Sequence, residues 1–193
     1  MSDDKNTAGK DTPTESGNAA GDDLATGGQS KADKKSLMLS RLYLKDLSFE
    51  SPKSPKVFQI SSWEPQLNLK LGTSFFETGE DFYEVLLHLS VEAQAEGEVA
   101  FLCELQQAGW FQLKGFNGEE LERVVGTVCA HILFPYAREA IGSMVAKGSF
   151  PQILLQPVNF EELYLKRLQD KQAAAASGSA VPGMPDIPGV GNV

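Results

Sequence analysis

VAFLCELQQAGWF, residues 99–111, has two faces that differ, and the other elements take their places from it. At the strand period of two, Val99, Phe101, Cys103 and Leu105 fall on one side, and Ala100, Leu102, Glu104 and Gln106 on the other. The first set is apolar throughout. The second mixes a leucine with a carboxylate and an amide, as a solvated sheet face does. The spacing predicts a half-buried antiparallel strand.

The preceding segment has the same period. Tyr83, Val85, Leu87, Leu89, Val91 and Ala93 share one face, with Glu84, Leu86, His88, Ser90 and Glu92 opposite. For the two apolar faces to coincide, directly opposed residues must have equal parity, which a two-residue loop at Glu96-Gly97 would not give. A three-residue loop, Ala95-Glu96-Gly97, sets Ala93 opposite Val99, Val91 opposite Phe101 and Leu89 opposite Cys103, with Gly97 at the left-handed position. Nearer the start, Tyr43, Leu47 and Phe49 alternate against Leu44, Asp46 and Ser48 in a strand that Pro52 and Pro55 close. A connector carrying Phe58 and Trp63 leads to Leu67, Leu69 and Leu71, a short strand ended by Gly72. Four antiparallel strands with one apolar face follow.

The rest reads as helix packed on that face, so the fold class is α+β. Asn117-Gly118-Glu119-Glu120 opens a helix with acidic residues in its first turn. A break is expected near Phe134, and a second helix from Pro135 to Lys147, stopped by Gly148. After an extended connector, Asn159 caps a third helix, with Glu162 three positions on.

The ends have a different composition. Residues 1–35 are polar and lack aromatics, and residues 173–193 run from four alanines into repeated Pro and Gly, so both are expected to be disordered around a folded core at 36–172. A net charge of -9 argues against a nucleic-acid partner and favours basic ones. Two cysteines, Cys103 and Cys129, make no disulfide framework and fit a reducing compartment. With no apolar N-terminal run and no span of about 18 apolar residues, neither a signal peptide nor membrane insertion is expected, which points to the cytoplasm. The motifs of phosphate loops, zinc proteases, CxxC redox sites and serine hydrolases are missing, and His88 and His131 sit on different elements. No catalytic, metal or cofactor site is expected.

RLYLKDLSFESP (41–52), FLCELQQAGWF (101–111), ILFPYARE (132–139) and GSFPQILLQPVNFEEL (148–163) resemble, in order and spacing, the SecB family of bacterial protein-export chaperones. The likeness covers about Arg41 to Leu168 and neither end. It implies a homotetramer, a dimer of dimers, with sheets outside and helices between them. It implies an ATP-independent holdase that keeps secretory preproteins unfolded and passes them to the motor ATPase SecA. Residue by residue, it implies client contact at Trp63, Leu67, Leu69, Leu71, Tyr164 and Leu168. Docking of the basic, zinc-binding C-terminal segment of SecA is implied at Asp46, Glu50, Leu102 and Glu104. Phe101, Cys103, Leu105 and Gln107 are implied to act in assembly. Parity independently puts Asp46 with Glu50, and Leu102 with Glu104, on single strand faces. Two other readings stand beside export: a SecB-like chaperone of a toxin-antitoxin system, and a small apolar-ligand binding protein.

Overall fold

Ser36–Glu50 forms β1, Gln66–Gly79 β2, Phe82–Ala95 β3 and Glu98–Lys114 β4, joined in one antiparallel sheet in which β4 lies between β1 and β3. A computed structural model of the chain describes residues 34–177 and 186–188, all within the unit Asp33–Val193. The disorder expected of residues 1–33 lies outside that description, as do residues 178–185 and 189–193. Odd-numbered side chains of β3 and β4, from Val85 to Ala93 and from Phe101 to Leu113, are buried beneath the helices; most even-numbered ones face outward.

Three local corrections change the register. The β3–β4 turn is two residues long, Glu96-Gly97, both with positive φ (52° and 81°), as a type I′ hairpin turn requires. Parity is restored by one extra residue, Ala100, which bulges between the Gln94↔Val99 and Ala93↔Phe101 pairs. The three-residue loop is thus replaced by a turn plus a bulge, and the apolar faces still coincide: Val91 opposes Cys103 and Leu89 opposes Leu105. The Ala100 carbonyl accepts a hydrogen bond from Ser51 Oγ at 2.8 Å, so the bulge leaves no orphan there.

In β1, shifts at Ser40 and Lys45 reverse the face of the residues between them. Tyr43, expected beside Leu47 and Phe49, stands on the outer face and donates its hydroxyl to Glu84, while Leu44 opposes the buried Gln107. Gln107 Nε2 donates to the Tyr43 carbonyl at 2.9 Å, which satisfies the one polar interruption of the packed face. β2 does not stop at Gly72. Its alternation carries on through Thr73 and Phe75 to a full 14 residues, because β3 supplies a partner along its whole length, with Gly72 opposite His88.

The helices also differ from expectation. Gly118–Val124 (α1), a π turn at Val125–Cys129 and Ala130–Lys147 (α2) form one uninterrupted helix, with Pro135 inside α2. The proline removes the donor that the His131 carbonyl would use; both residues are exposed, so water can take that carbonyl and the helix continues. At the other end Gly148 is required by space. A Cβ there would overlap the Phe49 ring, which packs with Phe101 and Phe150. Gly148→Ala is expected to lower stability by about 1–3 kcal/mol, the cost of overpacking, read as a fall in the urea midpoint.

α3 spans Phe160–Ser177, and Glu162 N–H donates to Asn159 Oδ1 at 3.3 Å, the expected cap. The helix runs through Ala173–Ala176, where disorder was expected, since alanine has the highest helix propensity. Asp186–Pro188 forms a fifth strand, β5, on the outer edge of β2: Pro188 pairs with Asn68, Ile187 with Leu69 and Asp186 with Lys70. Among the described residues no helix is long and apolar enough to cross a membrane.

Candidate functional site

The outer face of β4 carries an acidic row. Glu104 lies between Ser48 of β1 and Ser90 of β3, and Leu102 lies between Glu50 and Glu92. Asp46 continues the row one rung on, opposite Gln106. All four residues expected to dock SecA therefore share one face, with a partly exposed leucine at the centre of carboxylates. Glu92 joins them unforeseen: with the three-residue loop it would have opposed Ala100, and only the bulged register brings it to Leu102. Among the described residues none of Asp46, Glu50, Glu92 and Glu104 forms an ion pair, although Lys45 pairs with Glu84 and Lys53 with Glu98 nearby. Gln94 Nε2 donates to Glu92 at 2.6 Å. Three exposed carboxylates and the part-buried Glu92 around an apolar spot give this face the charge and contact that complement a cationic segment with an apolar residue.

The residues expected to contact clients divide by burial. Trp63 and Leu67 are half-buried at the start of β2, and Tyr164 and Leu168 are half-buried on α3. Leu69 and Leu71, 2% and 3% exposed, belong to the core of the single chain and form a floor rather than an open wall. Trp63 packs tilted against Phe150, with ring centroids 5.3 Å apart, and Phe150 also meets Phe58, Phe49 and Phe101. Phe58 is half exposed, so this aromatic cluster reaches the surface. Tyr164 lines a cleft between β2 and α3 together with Leu71, Thr73, Phe160, Leu163 and Arg167. Its ring lies over Gly126, in the π turn, where a Cβ would come within 3.1 Å of Tyr164 Cδ2. The widened turn and the missing side chain together let α3 approach β2.

Phe101, Cys103, Leu105 and Gln107 are all buried under the helices, none more than 3% exposed. Within one chain they support the helix layer and touch no outer surface. Burial raises the thiol of Cys103 to a pKa of about 11, with Glu104 adding to the shift, and that of Cys129 to about 12, so both stay protonated and unreactive. His88 accepts or donates at Nε2 to Ser74 Oγ, 2.8 Å away, and burial lowers its pKa. His131 packs edge-on to Phe160. Arg167, which sequence reasoning did not name, lines the cleft, and Phe150, read only as part of an extended connector, sits buried at the centre of the aromatic cluster; neither lies in an alternating pattern that would have placed it.

Comparison with known proteins adds identity to this geometry. Residues 30–171, well over half of the chain, match the family model described as preprotein translocase subunit SecB. Among solved structures, the chain is similar to a SecB-like chaperone of Mycobacterium tuberculosis in complex with a peptide from the HigA1 antitoxin, at 15% identity and a TM-score of 0.55, over 63% of this chain and 90% of that one. A protein of unknown function from Streptococcus agalactiae aligns at 9% identity and a TM-score of 0.38, over 64% of this chain and 99% of that one. The chain belongs to the SecB family, whose members are chaperones and not enzymes.

Proposed function

We propose that this chaperone is an export holdase: it binds unfolded secretory preproteins in the cytoplasm, without ATP, and delivers them to SecA. The acidic row carries the delivery half of the reading. Carboxylates that stabilised the fold would be paired or hydrogen-bonded within it, whereas Asp46, Glu50 and Glu104 are exposed around Leu102 and form no ion pair among the described residues. A basic segment finds there both charge and an apolar contact. The holding half rests on Trp63, Leu67, Tyr164 and Leu168, half-buried apolar side chains strung along β2 and α3. Each is already half covered and contributes about 1 kcal/mol when the rest is buried, so a client is held by many weak sites and by no single sequence.

Assembly as a homotetramer belongs to the same reading. β1 is the outer strand of the sheet, and its Met38, Tyr43 and Leu44 are exposed. An edge that has no strand partner among the described residues and bears apolar side chains favours association with a second copy. A second reading, chaperoning of an antitoxin, draws on the antitoxin peptide bound by the Mycobacterium tuberculosis protein. It needs the client surface and gives the acidic row no task.

Light scattering by a denatured preprotein diluted into the wild-type chaperone separates these readings. The export reading expects suppression of scattering, followed by transfer when SecA is added; suppression without transfer favours the antitoxin reading. Leu67→Asp and Tyr164→Ser are expected to weaken suppression about 5- to 20-fold in effective concentration, at an unchanged helix signal. Loss of the helix signal in both variants would assign these residues to folding.

A further inference from the structure

After α3 the chain comes back to the sheet. α3 ends at Ser177, and Asp186–Pro188 then pairs antiparallel with the outer edge of β2, with Pro188 opposite Asn68, Ile187 opposite Leu69 and Asp186 opposite Lys70. The covalent path from Ser177 to Asp186 therefore joins α3, which carries Tyr164 and Leu168, to β2, which carries Leu67. An outer strand without a partner offers a row of N–H and C=O groups to any extended chain. Over Asn68–Lys70 that row is met by the protein's own tail.

The amino acids of β5 keep this contact weak. Pro188 has no N–H, so the strand can donate only from Asp186 and Ile187. Pro182 and Pro185, at the same spacing of three, likewise have no donor to give. Backbone hydrogen bonds exchanged against water contribute little each, so a separate three-residue peptide would not stay on such an edge. The short covalent link through residues 178–185 changes this, because it holds β5 near β2 at an effective concentration on the order of millimolar. The tail is seated by its tether and released at small cost.

We infer that Asp186–Pro188 is a built-in competitor of clients, a strap that occupies the β2 edge next to Leu67 and must leave before an extended client segment pairs there. This rests on the client surface proposed above and adds its regulation. The strap lowers the apparent affinity for every client by the fraction of molecules whose edge is open. A long unfolded chain displaces it, exchanging two donors for a longer ladder and for apolar contact at Leu67, Tyr164 and Leu168. A short or polar segment gains too little to do so, and the strap thereby sets a threshold below which chains are not held.

The test uses the full chain and a fluorophore-labelled ribonuclease A whose cysteines have been reduced and carbamidomethylated, so that it stays unfolded. Asp186→Pro with Ile187→Pro removes both donors of β5 and is expected to tighten binding of this probe about 3- to 10-fold, because the edge is then always open. The opposite change locks the strap. Asn68→Cys with Pro188→Cys puts two thiols on directly opposed residues, within the span of a disulfide, while Cys103 and Cys129 are buried. Oxidation of this variant should weaken probe binding by about 10-fold or more, and dithiothreitol should restore it in the same sample. Affinity that does not rise in the proline variant, an oxidised form that binds as well as the reduced one, or a disulfide that does not form overturns the strap and leaves the client surface standing. Failure of the probe to bind the wild type and both variants overturns that surface as well.

Discussion

Phe101→Ala is expected to unfold this protein more readily than any exposed substitution on the same strand, with a loss of about 3–5 kcal/mol. Phe101 is completely buried. It stacks on Phe49 at 5.6 Å and meets Phe150 at 5.0 Å, so truncation removes the middle of a cluster that ties β1, β4 and the connector after α2. The void cannot close cheaply. Gly148 already brings the end of α2 against the Phe49 ring, and Ala93, directly opposite on β3, is too small to fill the space. Glu104→Lys on the outer face of the same strand should stay within about 0.5 kcal/mol of wild type, since Glu104 is exposed and has no ion pair among the described residues. Urea denaturation followed by circular dichroism, at one fixed protein concentration, reads both. Similar midpoints for Phe101→Ala and wild type would show that the cluster is not the keystone of the core.

Much of this architecture could be read from alternation alone. The two faces of β4, the parity of β3, the acidic character of the outer face and the Asn159 cap follow from side-chain period and cap chemistry, and the structure retains them. Exact register could not be read, and the reason is physical: a hairpin with a tight turn and a bulge has the same face parity as one with a longer loop and no bulge. Ala100 carries no mark that distinguishes it as the extra residue. The same ambiguity at Lys45 sent Tyr43 to the wrong face. Pro135 and Gly72 were legible as breakers, and packing overrode both, because His131 can give its carbonyl to water and β3 can pair with β2 beyond the glycine. Neither Gly126 nor Arg167 has a local signal. Their roles arise only once α3 lies across the π turn, a contact between segments some 40 residues apart in sequence.

The same bulged register gives the most direct functional test. A double reversal, Asp46→Lys with Glu104→Lys, is expected to weaken binding of SecA, or of its isolated zinc-loaded C-terminal segment, by about 30- to 100-fold at low salt. Two attractions of roughly 0.6 kcal/mol each, as for charges about 7 Å apart in water, become repulsions of similar size, on a face where the described residues offer no competing cation to Glu104, Asp46, Glu50 or Glu92. Glu92→Lys, added alone, should cost a share comparable to either, because it flanks Leu102 as Glu50 does. Raising salt from about 0.01 M to 1 M should shrink every one of these differences, the Debye length falling from roughly 30 to 3 Å, while Leu102→Ala retains its smaller apolar deficit. Calorimetric titration supplies the affinities, and the urea midpoint, which should not move, shows that the fold is intact. The proposed client surface draws on Leu67 of β2 and on α3, away from the acidic row, so suppression of preprotein aggregation should persist in every charge-reversed variant. Retained SecA affinity in the double variant would remove the delivery role and leave a chaperone whose clients reach their fate by another route, as the antitoxin reading requires; loss of SecA affinity with holding intact separates the outer face of β4 from the proposed client surface by function.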